Sequence, residues 1–507
     1  MKGFFVSIVF SLLVVALYAQ SPKRELRAVW IATVKNIDWP TEPGLSTKQQ
    51  KDEYRKILDF HQQNGFNAVI VQVRPSSDAF YISDKVSWSR YLTGESGLAP
   101  DPYYDPLTYM IDEAHDRGME FHAWFNPYRI VVDTLYLPED STHIFYQKPD
   151  WFHQYGNRIY FDPGIPEVME HVTEVIKDVT TRYDVDAIHF DDYFYPYRIW
   201  GEEFPDSLTY SLYNQDSTII KDDWRRENVN TVIKMLNDTI KSVKPWVKFG
   251  ISPFSVWRNQ SVDPKGSDSQ AGQTNYDDLF ADVVKWMEEG WIDYVLPQLY
   301  FPMDHKLVPY RKLLPWWENI DFKGHLYIGH GTYRIGPVGR DSAWWNPSEI
   351  PDQIRLNRNS AKVKGSSHYS SKWFFDNTLG ITDSLRTDLY KNKALVPTMP
   401  WLDNEAPVAP DSLTVRNDKT GIYLNWAPSD STAMYYVIYR FKGKEVGDLE
   451  NSANILEIKR ASSPFFIDKN VLKRKKYTYA VTAVDRLYNE SEMITAPYIK
   501  RTLKKKK

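Results

Sequence analysis

Residues Asp186–Tyr197, DAIHFDDYFYPY, decide the architecture. Ala187–Asp191 is a short, largely apolar run that reads as a buried strand. It ends in two adjacent acids and an aromatic loop. His189 and Asp191 are two residues apart, so they share one face of the strand. An aspartate past a strand often caps the next helix, but Tyr193–Pro196 runs on without a helical start. Asp191 and Asp192 are therefore expected at the carboxyl end of a strand with nothing local to occupy them.

The pattern around this stretch repeats in both directions. Short β-branched or aromatic runs are read as strands at Arg27–Thr33, Ala68–Arg74, Glu120–Asn126, Ala187–Asp191, Lys248–Pro253, Tyr294–Tyr300, His325–Gly331 and His368–Phe374. Helical periodicity follows each of them, at Lys48–Gln63, Pro106–Arg117, Pro166–Tyr183, Trp224–Val243, Asp277–Glu289, Val308–Glu318, Pro347–Asn359 and Ser384–Lys391. Eight strand–helix repeats predict an α/β fold, a (β/α)8 TIM barrel, with its site at the carboxyl ends of the strands. A doubly wound open sheet is the alternative, but no glycine-rich phosphate turn follows the first strand.

The proline-rich stretch Met399–Pro410 reads as a linker. Beyond it the pattern changes to strands at Gly421–Trp426, Tyr435–Phe441, Phe465–Asp468 and Tyr477–Asp485. The run from APDSLTV through YTYAVTAVDRLYNES resembles a fibronectin type III domain. That resemblance implies a small all-β sandwich with Trp426 in its core and Tyr477 or Tyr479 as its corner tyrosine. The expected organisation is a signal peptide at 1–19, a barrel at 20–403 and a sandwich at 404–507.

The signal is read from Lys2, the uncharged apolar run Phe4–Leu17 and the small residue Ala19. No later run is long enough to span a membrane, so the mature chain is expected in the periplasm or outside the cell. The chain has no cysteine, which excludes disulfides and cysteine-based zinc sites. A net charge of -4 offers no basic field for nucleic acid. The 18 tryptophans and 34 tyrosines favour a polysaccharide partner, since these rings stack on sugar faces. No cofactor or metal is called for, although His189, Asp191 and His122 form a conceivable ligand set without a zinc-like spacing.

Strand ends supply the candidate site. Asp191 and Asp192 are the expected catalytic pair, because neighbouring carboxylates retain a proton near neutrality that one of them can donate. A polar and aromatic rim is expected from Arg74 and Asp78, then Trp124, Asn126 and Arg129. Tyr193 and Tyr195 follow the pair, and Gln298, Tyr300, Asp304 and Trp373 complete the set.

Together these runs resemble glycosyl-hydrolase-like family 10. The matching pieces are RAVWIATV at Arg27–Val34, VQVRP at Val71–Pro75, HAWFNPYR at His122–Arg129, FDPGIPEV at Phe161–Val168, IHFDDYFYP at Ile188–Pro196 and GWIDYVLPQLY at Gly290–Tyr300. The resemblance spans residues 25 to 403. It implies a secreted glycan hydrolase, with peptidoglycan strands stripped of their peptides as a substrate class. The chain departs from the usual retaining barrel design, which has glutamates after strands four and seven. Strand four here ends in Asp-Asp, and GHGTYR at strand seven holds no carboxylate. The pair looks instead like that of the O-GlcNAc-removing hexosaminidases. That likeness implies Asp192 as general acid and then base, and Asp191 as the group orienting the substrate's own 2-acetamido nucleophile, with Tyr300 or Asn126 in support. A two-carboxylate mechanism on a non-acetylated polysaccharide, using Asp304 or Asp78, stays open. So does a carbohydrate-binding barrel without turnover.

Overall fold

In the computed structural model of the chain, residues 21–428 and 430–501 are described. The signal reading at 1–19 lies outside them. The barrel strands are β1 Leu26–Ile31, β2 Ala68–Arg74, β3 Glu120–Phe125, β4 Ala187–Phe190, β5 Lys248–Ile251, β6 Tyr294–Val295, β7 His325–His330 and β8 Val363–His368. Each pairs in parallel with its neighbours, and β1 pairs with both β2 and β8, so the barrel closes. The principal helices between the strands are α1 Thr47–Gln63, α2 Pro106–His115, α3 Pro166–Arg182, α4 Lys221–Val243, α5 Val283–Glu288, α6 Tyr310–Glu318 and α7 Glu349–Arg358, and α8 Ile381–Ser384 follows the last strand. Local chemistry sets their starts. Ser46 and Gln49 cap α1 reciprocally, Asp105 accepts the Leu107 N–H at the head of α2, and Pro106 and Pro166 stand in first turns where no N–H is needed. Tyr54, Ile57, Leu58 and His61 then form the buried face of α1, at helical spacing.

One strand differs from its sequence-based placement. The eighth is Val363–His368, and the aromatic run after it forms a short helix, Lys372–Phe375, which buries Phe374. VKGSSH carries almost no apolar signal because its inward side is small. A Cβ on Gly365 would sit 2.3 Å from the Leu26 carbonyl oxygen, so close pairing with β1 selects glycine there.

Alternate residues fill the lumen. The Tyr294 hydroxyl lies 2.9 Å from both His122 Nδ1 and His189 Nδ1 at mid-height. Its ring occupies the place where a Cβ on Gly250 would fall, 1.9 Å away. His122 and His189 use their remaining nitrogens on Glu120 and Ser252, both at 2.9 Å. Both imidazoles are thus satisfied lumen groups. Lower down, Lys248 pairs with Glu120, both fully buried. Asp186 accepts from His115 at 2.8 Å and from the Phe121 N–H at 2.7 Å.

The C-terminal region is all-β. Strands β9 Asp411–Asn417, β10 Ile422–Ala427 and β13 Phe465–Asp468 make one antiparallel sheet. Strands β11 Tyr435–Lys442, β12 Ile455–Arg460 and β14 Lys476–Val484 make a second, which two short terminal strands extend. Trp426 is buried between the sheets with Tyr436 and Tyr479. The outer face of the second sheet is not free. Tyr435, Val437, Tyr439, Val484 and Tyr488 share one apolar cluster with Leu26, Ala28 and Tyr327 of the barrel. Salt bridges ring the contact: Lys23–Glu490 at 2.8 Å, Arg460–Asp116 at 3.0 Å and Arg486–Asp184 at 2.6 Å. Every barrel partner named lies at the amino ends of the strands. The all-β unit therefore floors the barrel, and an apolar cluster spans the contact beside the separate core of each unit.

Candidate functional site

At the carboxyl ends of the strands a cleft of about 320 Å³ opens around Asp191 and Asp192. Trp30, Trp124, Tyr193, Tyr197, Tyr300 and Tyr369 give it aromatic walls, and Ser252 and Gln298 add polar groups. Both acids are buried. Strand β4 stops at Phe190 and the next residues run irregularly, so two consecutive side chains reach the same cleft.

The two carboxylates are held differently. Asp191 receives Trp124 Nε1–H at 3.1 Å, Asn126 Nδ2–H, and the Tyr193 N–H at 3.4 Å. Asn126 is fixed in turn by Gln72 at 2.5 Å and Arg129 at 2.8 Å, both donating to its Oδ1. Asp192 accepts from the Tyr197 hydroxyl on one oxygen. Burial raises the pKa of each acid above the usual carboxylate range, and the charge of Asp192 adds to the rise at Asp191. Three N–H donors converge on Asp191, which favours its ionised form. The rise nonetheless takes Asp191 to about 7 and Asp192 to about 6, so the pair retains one proton between them near neutrality.

The structure sorts the sequence candidates. Asp191, Asp192, Trp124, Tyr193, Gln298 and Tyr300 line the cleft. Asn126 and Arg129 stand behind it as positioning residues. Arg129 is anchored on the Pro75 carbonyl at 2.8 Å, with its guanidinium over the Tyr193 ring at 5.4 Å. The other five are elsewhere. Arg74 is 1% exposed and donates to the Asn126 and Pro127 carbonyls at 3.1 and 3.3 Å, so it holds a loop together. Asp78 accepts from the Ser89 hydroxyl at 2.6 Å and the Ser76 N–H at 3.0 Å, stapling the same loop. Tyr195 packs edge-on against Phe204 and Phe280, away from the cleft. Asp304 is 81% exposed and pairs with Arg311 at 3.1 Å. Trp373 sits on the short helix that replaced the expected eighth strand.

Sequence reasoning missed Trp30, Tyr197, Tyr333, Arg334 and Tyr369. Tyr369 directly follows β8, and setting that strand at Val363–His368 brings it to the mouth at once. Trp30 shares lumen parity with Ala28 on β1. Among the described residues, Asp191 and Asp192 are the only carboxylates lining the cleft. A larger cavity of about 840 Å³ lies at the opposite end, near Ser21 and Gly365, but its Glu25 is already paired with Arg358 at 2.7 Å.

These features define a (β/α)8 barrel with a buried acid pair in an aromatic cleft at the carboxyl ends of its strands. Residues 25–346 match glycosyl hydrolase-like 10, and the chain belongs to that family. It is 49% identical over 504 residues to the glycosyl hydrolase YngK of Bacillus subtilis (strain 168), covering 96% of this chain and 97% of that one. It is 37% identical over 369 residues to the glycosyl hydrolase DigH of Escherichia coli (strain K12), covering 68% and 83%. Among solved structures it resembles the PgaB (BpsB) glycoside hydrolase domain from Bordetella bronchiseptica. There the TM-score is 0.46 at 12% identity over 72% of this chain and 99% of that one, a likeness too distant to bear on chemistry.

Proposed function

We propose that this chain is an exported glycoside hydrolase that cuts N-acetylated glycans, peptide-free peptidoglycan strands among them. One observation carries the reading: a single pair of adjacent, buried carboxylates lines the cleft, with no third carboxylate beside it among the described residues. Protonated Asp192 donates to the glycosidic oxygen as the C1–O bond breaks. The substrate's acetamido oxygen attacks C1 from the opposite face, and ionised Asp191 accepts the acetamido N–H and lowers the cost of the positive charge that develops. Asp192, now ionised, takes a proton from water, which opens the cyclic intermediate with net retention. The intramolecular nucleophile accounts for the missing second enzymic carboxylate. Asp304 and Asp78, which the two-carboxylate route needs, are engaged away from the cleft.

The C-terminal unit fits a fibronectin type III domain. Its two-sheet order, the buried Trp426 and the Leu472 N–H donated to the Tyr477 hydroxyl at 3.1 Å all support that reading. An export signal at 1–19 would deliver the chain to the periplasm or the medium, where such glycans lie.

Mass spectrometry of products tests the activity on peptide-free peptidoglycan strands, chitin oligosaccharides and cello-oligosaccharides. Products from the acetylated glycans alone are expected. Efficient cleavage of cellotetraose would rule out the acetamido route, and no products from any glycan would rule out the hydrolase.

A further inference from the structure

The cleft does not end at the acid pair. Tyr300, Phe301, Tyr333 and Arg334 also form one side of a second lobe, of about 370 Å³, which continues outward past Trp344. An aromatic path connects the two. Trp30 and Tyr369 lie 6.1 Å apart, Tyr369 and Tyr300 6.3 Å, and Tyr300 and Tyr333 5.9 Å, measured between ring centres.

The charge changes sign along this path. The first lobe holds two acids with Arg334 at the edge it shares with the second, whereas in the second Arg334 and Arg340 face one carboxylate, Asp341. Asp341 accepts the Ala343 N–H at 2.9 Å, and His305 Nδ1 accepts the Val308 N–H at 3.0 Å, so both are occupied in local structure. Arg334 is not. Its guanidinium lies over the Tyr333 ring at 5.1 Å, and its buried Nε–H has no acceptor. No ion pair to it is present among the described residues. Among the cations, Arg129 bears most on Asp191 and Asp192. A half-buried guanidinium with an unsatisfied N–H loses free energy unless a ligand supplies the acceptor. The planar fork of arginine fits a carboxylate with two parallel hydrogen bonds.

We propose that the second lobe is a subsite for a sugar ring bearing a carboxylate, with Arg334 as its specificity-determining residue. This rests on the glycan reading above and adds that the chain selects acidic over neutral strands.

The test reads binding on a chain whose turnover is suppressed. Calorimetry with the Asp192→Asn protein compares a peptide-free peptidoglycan tetrasaccharide, the same tetrasaccharide with its carboxyls amidated, and chitotetraose. The acid is expected to bind about tenfold more tightly than its amide, as suits a charge-assisted pair. Adding Arg334→Gln should bring that ratio close to one, and 1 M salt should shrink it in the Arg334 protein. A ratio near one with Arg334 present overturns the proposal, as does a ratio that neither Arg334→Gln nor salt moves. Should Arg334→Gln lose chitotetraose binding through misfolding, the salt series on the Arg334 protein decides alone. A binding preference without hydrolysis by the unsubstituted chain would leave the subsite standing and remove the proposed activity. Hydrolysis without a preference would do the reverse.

Discussion

Asp186 and Asp191 flank the same four-residue strand, and both are buried, yet their surroundings push them in opposite directions. At the floor, burial raises the pKa of Asp186, but the contact with His115, the charge of Lys248 and the Phe121 N–H outweigh it and hold the acid below its usual range. At the mouth, burial and the neighbouring Asp192 raise Asp191, and the Asn126 donor and Arg129 do not undo the rise. Burial is common to the two ends, so it does not separate them. Charge compensation does. A buried acid with partners is a structural group, while a buried pair left with one proton to share is a costly arrangement that binding or catalysis can use.

The floor is also where the two units join, and breaking that join should have the largest effect. Several large side chains of β11 and β14 are buried against the barrel, each contributing roughly 1.5–3 kcal/mol. Together they rival the whole stability of a typical protein, about 5–15 kcal/mol. A chain ending at residue 404 is expected to lose its cooperative fold, as read by circular dichroism and gel filtration. A cooperative melt within about 5 °C of the full chain would show that the sandwich is an independent appendage.

The next largest effect belongs to the mouth. Asp192→Asn removes the donated proton and should lower turnover by about 10²–10⁴-fold, roughly 3–5 kcal/mol of barrier, while glycan binding persists. More than about a tenth of the original rate remaining would mean that Asp192 is not the acid.

The difference between the ends was partly legible beforehand. Asp191 and Asp192 stand out in sequence because an acid pair interrupts an apolar run with no helix to cap. All eight strands fall where periodicity places them except β8, whose inward residues are small and polar and carry no apolar signal. That misplacement also hid Tyr369 and put Trp373 in the wrong role. Arg74, Asp78 and Tyr195 show the limit from the other side. Each has the right residue type at a strand end or in the loop after it, but packing turned each inward, and packing partners distant in sequence leave no trace in spacing. The floor was illegible for the same reason, since Tyr435 and Tyr488 meet the barrel only in three dimensions.

Lys248→Met tests compensation at the floor. It leaves Glu120 buried with its charge matched only by the His122 contact at 2.9 Å. Losing one member of a buried pair costs roughly 3–5 kcal/mol, expected as a lower urea midpoint with unchanged activity per folded molecule. A midpoint equal to that of the unsubstituted chain would mean that the floor network contributes no net stability.

The smallest expected effect has the opposite sign, and it comes from the mouth. The pKa of Asp192 is raised in the folded chain, to about 6. The unfolded chain titrates near 3.9, so between these values the folded state holds more protons than the unfolded one. Stability contributed by this group is therefore full below pH 4 and is lost as pH rises through the folded value. Asparagine at this position carries no such penalty, and its amide oxygen still accepts the Tyr197 hydroxyl. Asp192→Asn should thus match the unsubstituted chain in urea at pH 4 and exceed it at pH 8 by an amount of the order of 1–3 kcal/mol. Asp186→Asn should do the reverse. Asp186 is held low, so its contribution is present above pH 4 and disappears as acid protonates it. If both asparagine variants shifted stability in the same direction at pH 8, compensation would not be what distinguishes the mouth from the floor. The assignment of the shared proton to the mouth pair would fall with it.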